Sequence, residues 1–203
     1  MALAPPGPLR HRVRMPRPHR VQAAGITYHV FAQATGSEFL HRDDEDRQRF
    51  VSILATTVEK YRLELHFVVV LGTHHHMVIT TTRPNIAAAM QYLNGVYCQS
   101  YNRRHSRKGH LVAGRYGTTL VESEEHGVRL VAYLALNPVR AGLVDRPEDW
   151  PWSSYSSLIG LSPEWTFVKP GFLLDQFAPD RRRAKALVRE YVQSVRVEDF
   201  LAA

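Results

Sequence analysis

The sequence is poor in cysteine, has no long apolar run, and lacks acid altogether in two stretches. Its single cysteine, Cys98, excludes an intramolecular disulfide framework and fits a reducing compartment, so a cytoplasmic location is the expectation. No apolar segment approaches the roughly 20 residues of a membrane span. The N-terminus carries charge with no apolar segment behind it, so neither membrane insertion nor a secretory leader is expected. No internal repeat is visible. What remains is a soluble chain of 203 residues, 44% hydrophobic and 22% charged, able to bury one core.

Acid is missing from residues 1–20, which hold five arginines, and from residues 102–117, which hold Arg103, Arg104, Arg107, Lys108 and Arg115. Together these exceed the formal net charge of +7, so the rest of the chain is net acidic. Positive charge gathered in this way points to a polyanion, whose phosphates the loop cations would contact. A solvated tail and a solvated loop would leave the same trace. Pro5, Pro6, Pro8, Pro16 and Pro18 deny residues 1–20 a regular element and predict a basic flexible arm, with Met15 as an alternative start.

Along the chain, Ile26–Phe31 alternates as a first strand, and the acids Asp43, Asp44, Glu45 and Asp46 open an amphipathic helix carrying Phe50, Ile53, Leu54, Val58 and Tyr61. Leu65–Leu71 reads as a buried strand closed by Gly72-Thr73, and a further strand begins near His74. Side chains on a strand alternate, so His74, His76 and Val78 share one face while His75, Met77 and Ile79 share the other. Two imidazoles side by side can chelate a metal; a histidine-rich turn, or one hydrogen-bonded core histidine, is the competing reading.

Asn85 opens a second helix with Ile86, Met90, Leu93, Tyr97 and Tyr101 at helical spacing, and the basic loop follows it. Leu111-Val112 and Thr118–Val121 read as extended pieces. Ser123 caps a third helix that Pro138 ends, with Tyr133 and Asn137 one turn apart on one face. This order predicts an α+β fold of ferredoxin-like plan, an antiparallel sheet with helices on one face. The aromatics of Trp150-Pro151-Trp152-Ser153-Ser154-Tyr155 are expected to lock the tail onto the domain. Residues 180–195 predict an accessory basic helix. The expected organisation is an arm over 1–20, a domain over 21–160 and a C-terminal helical extension over 161–203.

These pieces together resemble the single-tyrosine HUH transposases, the IS200-like group that includes REP-associated tyrosine transposases. The resemblance is carried by Met15-Pro16-Arg17-Pro18, Tyr28-His29-Val30, Arg42-Asp43-Asp44, His74-His75-His76, Leu93-Asn94-Gly95, Tyr101-Asn102-Arg103-Arg104, Gly114-Arg115-Tyr116, Val121-Glu122-Ser123, Tyr133 through Gly142, and Pro151-Trp152-Ser153-Ser154-Tyr155. Each piece is weak alone; the ordered set over about residues 15–160 is specific.

The resemblance implies an enzyme that nicks and rejoins single-stranded DNA at a hairpin or palindromic repeat, through a 5′-phosphotyrosine intermediate and with a divalent metal, Mg²⁺ or Mn²⁺. It implies Tyr133 as nucleophile and His74, His76 and Asn137 as metal ligands. Arg103, Arg104, Arg107, Lys108 and Arg115 are the expected DNA contacts. It leaves a homodimer open. A domesticated protein of the same fold that binds hairpins without cutting is the alternative. Two departures bear on that choice: Gly72-Thr73 replaces the family's usual Pro-Asn turn, and His75 stands where the family has a bulky apolar or aromatic residue. His75 is expected to point away from the metal face and to need a hydrogen-bond partner there.

Overall fold

The computed structural model describes residues 22–163 and 165–195. The predicted arm over 1–20, with Met15, lies outside the described residues. Strand β1 (Thr27–Gln33), helix α1 (Asp44–Tyr61), strands β2 (Leu63–Val70) and β3 (His74–Thr81), helix α2 (Ile86–Arg104), strand β4 (Gly117–Leu120) and helix α3 (Glu124–Arg140) follow in that order. The sheet runs β2-β3-β1-β4 with every pairing antiparallel. This is the ferredoxin-like order expected from the sequence.

Local chemistry explains the helix starts. Asp43 caps α1 by accepting from the Asp46 backbone N–H, and the acids of the first turn face the positive end of the helix. Ser123 caps α3 in the same way, through the backbone N–H of His126. The sequence ended α3 at Pro138, whereas the helix runs on to Arg140. Proline already has a helical φ, and its two costs, the missing N–H and the ring set against the carbonyl four residues back, fall here where the helix is about to end. Ala141 still donates to the Asn137 carbonyl, and Gly142 closes the end at φ 65°.

The sheet was expected to carry helices on one face only, but it is covered on both, because β2 and β3 present apolar side chains on either side. Helices α1 and α2 pack on one, around Tyr28, Val30, Leu65, Val68, Met77 and Ile79. The opposite face, carrying Phe67, Val69 and Val78, meets Leu130, Val131, Leu134 and Ala135 of α3. Two further helices, α5 (Gly171–Asp175) and α6 (Arg181–Ser194), bury Leu173, Leu174, Ala184, Val188 and Val192 in that second core. Between α3 and α5 lies the short α4 (Tyr155–Leu158). The described part of the predicted extension is thus built into the same body.

The β2 edge is sealed by the tail. Val70 donates to the Trp152 carbonyl and Ser154 to that of Val68, while Trp150 Nε1 donates to the Val70 carbonyl. Tyr155 is fully buried beneath them. A sealed edge offers no template for a foreign strand.

His75 does point away from His74 and His76, into the face covered by α1 and α2. It stacks on Phe50 with ring centroids 4.3 Å apart, and its Nδ1 lies 3.1 Å from His41 Nε2. The proton assignments follow from the chain of bonds. Tyr97 gives its only hydroxyl proton to the Leu40 carbonyl, so His41 Nδ1 donates to Tyr97, and His75 Nδ1 must then donate to His41 Nε2. His75 Nε2 is left as a buried acceptor with no partner. Burial pushes His75 down to about 3, which keeps it neutral.

Candidate active site

His74 and His76 lie on the sheet face covered by α3, opposite to His75, and the β1–β3 register sets Gln33 beside His74 and Phe31 beside His76. From α3, Tyr133 and Asn137 reach the same spot. Asn137 Oδ1 is 3.4 Å from His74 Nε2. The Tyr133 ring stands edge-on to His76, centroids 5.8 Å apart. Tyr133 is half-buried, whereas Asn137 is buried. The four residues that the sequence assigned to nucleophile and metal ligands therefore meet at one point.

Both histidines are held in a similar manner. His74 Nδ1 lies 2.9 Å from the hydroxyl of Thr73, and His76 Nδ1 lies 2.9 Å from His29 Nε2. With each Nδ1 occupied by an orienting partner, each Nε2 is the nitrogen available to a ligand, the usual arrangement of metal-binding imidazoles. His74 Nε2 and Asn137 Oδ1 lie 3.4 Å apart, a hydrogen-bond contact that an ion held by both atoms would replace. The ring centroids of His74 and His76 are 5.1 Å apart. Among the described residues no group of three or more His, Cys, Asp or Glu side chains is placed to hold an ion; the convergent donors are two imidazoles and one amide oxygen.

Electrostatics keep these rings neutral, as metal ligation requires. Burial pushes His76 down to about 2, helped by the nearby His29, His74, His75 and Arg140. Burial also holds His29 at about 4, with His126 adding to the effect. His74 is lowered by burial, opposed by its bond to Asn137 and reinforced by Arg140.

Two neighbours were not assigned roles by the sequence reading. His29 touches His76 and stands 6.4 Å from the Tyr133 ring centroid. Arg140 sits with its Cζ 5.1 Å from the centre of that ring, bringing positive charge to the site. Helical spacing hinted at Arg140, seven positions after Tyr133 and so on the same side of α3. His29 needed the β1–β3 register.

The basic loop is tied to this end of the sheet. Val112 bridges Ala34, and Ala113 donates to the carbonyl of Gln33, the residue that pairs with His74. Its cations divide by partner. Arg104 bonds Asp43, Glu45 and Asp46 at 2.7–2.8 Å, and Arg107 bonds Glu38 at 2.6 Å and the carbonyls of Gly109 and His110. Both thus have structural work that charge alone did not announce. Arg115 lines a groove with Gln91 and Asn94 of α2.

Asp46, 2% exposed, is the hub of the first cluster, accepting from the Arg42 backbone N–H, Arg104 and His105. Asp46→Ala is expected to cost about 1.5 kcal/mol, since it removes the buried charged acceptor that the Arg42 N–H, Arg104 and His105 share. Thermal melts would read this as a lower Tm; an unchanged Tm would mean that the cluster is dispensable.

A ferredoxin-like sheet with a histidine pair facing a helix-borne tyrosine defines the class. The family model of IS200-like transposases matches residues 22–135, and the chain belongs to that family. A protein of Haemophilus influenzae described as a REP-associated tyrosine transposase is 26% identical over 117 residues, 52% of this chain and 66% of that one. The match thus spans just under two thirds of the relative's length. A solved structure of a REP-associated tyrosine transposase bound to a REP hairpin superposes with a TM-score of 0.64 at 16% identity, over 76% of this chain and 98% of the other. That likeness establishes the shared fold. No helix among the described residues is long and apolar enough to cross a membrane.

Proposed function

We propose that this transposase-family chain nicks and rejoins single-stranded DNA at a hairpin or palindromic repeat, with Tyr133 as nucleophile. The observation that carries the reading is the meeting of Tyr133 with His74, His76 and Asn137, drawn from β3 and α3, with His74 and Asn137 63 residues apart in sequence. A tyrosine alone would be unremarkable packing; beside two oriented, neutral imidazoles it is a reaction centre. The hairpin bound to the structural relative supports the choice of DNA partner.

His74 and His76 through Nε2, and Asn137 through Oδ1, would hold a divalent ion, Mg²⁺ or Mn²⁺. When bound, that ion supplies Lewis-acid polarisation of a phosphate and a template for its orientation. The chain's own part is the remainder. Tyr133 forms the new O–P bond while the bond from phosphorus to the 3′ oxygen breaks; the phenol gives up its proton and the 3′ oxygen gains one. One diester replaces another, so no external energy source is needed, and the free 3′-hydroxyl can reverse the step. Arg140, beside the Tyr133 ring, offers positive charge where the phosphate must approach. His29 fixes the His76 ring, and Thr73 fixes that of His74.

Arg103, Lys108 and Arg115 are the strongest candidates for phosphate contact, because Arg104 and Arg107 already serve internal carboxylates. Replacing these three by alanine is expected to reduce the slope of log affinity against log salt by about two on single-stranded DNA, with Tm unchanged. An unaltered slope would remove them from the interface.

The reading is tested by incubating the chain with labelled hairpin-bearing single-stranded DNA and Mg²⁺ or Mn²⁺. A covalent adduct that survives a denaturing gel is the expected product. Tight hairpin binding with no adduct, across both metals and a panel of hairpins, would instead identify a binding protein that does not cut.

A further inference from the structure

Phe31 is a large apolar side chain left in the open on a central strand, at 36% exposure. Its position is tightly defined. In the row of the sheet that crosses β3 at His76, the successive residues are Val69, His76, Phe31 and Gly117. The ring lies 5.9 Å from that of His76 and 5.4 Å from that of His29, on the face that carries Tyr133.

Two local costs coincide here. A phenylalanine left partly in water forgoes part of its burial, and a glycine within a strand weakens that strand. Gly117 is the β4 partner of Phe31, and any side chain there would run into the Phe31 ring. The edge strand therefore gives up its side chain at the one position where the ring lies across it. Positions that break local rules without gaining stability are those at which a ligand is to be sought. The outward side of this ring is an aromatic surface beside the residues proposed to hold the scissile phosphate.

We propose that Phe31 is a stacking platform for a DNA base flanking the scissile phosphate, with Gly117 keeping the ring flat over the sheet edge. This inference rests on the DNA-processing reading above and adds to it a base subsite. Every nucleobase offers a π face, so stacking positions the strand without demanding a sequence. A base held on Phe31 fixes one side of its nucleotide, and the attached phosphate is thereby delivered toward His76 and Tyr133 rather than left to swing. Phe31 is in this account a positioning residue.

The test uses the full chain without metal, so that no cleavage is needed, and hairpin-bearing single strands with 2-aminopurine placed in turn at each nucleotide around the nick. Quenching at one flanking position is expected with wild type and with Phe31→Trp, and is lost with Phe31→Ala. Phe31→Ala should bind about 5- to 150-fold more weakly, the range for one stacked base. An abasic nucleotide at the quenched position should weaken wild type by a similar factor and should weaken Phe31→Ala no further. Gly117→Ala, which displaces the ring without removing it, should reduce quenching part of the way.

Equal quenching and affinity in wild type and Phe31→Ala would overturn the proposal. So would losses from the variant and the abasic site that multiply, or wild type that ignores abasic substitution at every position near the nick. The last arm needs no variant to fold. Because these readouts precede chemistry, a wild type that stacks a base but forms no adduct retains the subsite while refuting strand transfer.

Discussion

Tyr133→Phe is expected to bind hairpin DNA as wild type does and to yield no covalent adduct. The substitution removes one oxygen. Because Tyr133 is half-buried at the face of α3 that meets β3, its ring can keep its edge-on contact with His76 and its place beneath Arg140 without the hydroxyl. Packing, Tm and affinity should therefore be preserved. Loss of the nucleophile leaves only what an alternative hydroxyl or water could do, so adduct formation should fall by at least about 10³-fold. An adduct of wild-type yield in the variant would show that another side chain attacks.

His76→Ala should remove the metal and, with it, the reaction. His76 is the central member of the site: it meets His74, His29, Phe31 and Tyr133. Its loss leaves one imidazole and one amide oxygen, too few to hold Mg²⁺ or Mn²⁺ against water. Mn²⁺ affinity, read by calorimetry or paramagnetic relaxation, is expected to fall more than about 100-fold, beyond what loss of an orienting partner alone costs. Adduct formation should fall at least as far, while hairpin binding without metal stays near wild type. His29→Gln should do less, since His29 touches His76 rather than completing the donor set. Unchanged Mn²⁺ affinity in His76→Ala would place the ion elsewhere or nowhere.

The legible part of this protein is the part with short-range periodicity. Alternation alone set His74 and His76 on one face and His75 on the other, because a strand allows no other choice. Helical spacing alone put Tyr133 and Asn137 together. What it could not reveal was the register in which β1 lies against β3. His29 bonds His76 across 47 residues, and Phe31 sits opposite it, only because β1 pairs with β3 in one register. That register is settled by packing across the whole sheet.

Charge was legible as sign and not as partner. Arg103, Arg104, Arg107 and Lys108 read as one basic loop, yet Arg103 and Arg104 belong to the last turn of α2, where Arg104 is anchored at the acidic start of α1, and Arg107 is held by Glu38. Each acid is distant in sequence, brought close by the antiparallel packing of α1 and α2. His75 was a departure whose direction could be foreseen but whose cost could not. Its partner chain through His41 and Tyr97 is satisfied at every step but the last, at Nε2. The β2 register shift between Leu65 and Phe67, where His66 turns its ring to Phe172 and the Lys169 carbonyl, had no sequence signature either.

If Tyr133 is the nucleophile, one oxygen of this chain becomes bonded to DNA. Mass spectrometry of the protease-digested wild-type adduct locates that bond. A nucleotide remnant is expected on the peptide containing Tyr133, attached through a 5′ phosphate, with the complementary fragment ending in a free 3′-hydroxyl. A remnant on any other peptide, or a fragment ending in a 3′ phosphate, would contradict it.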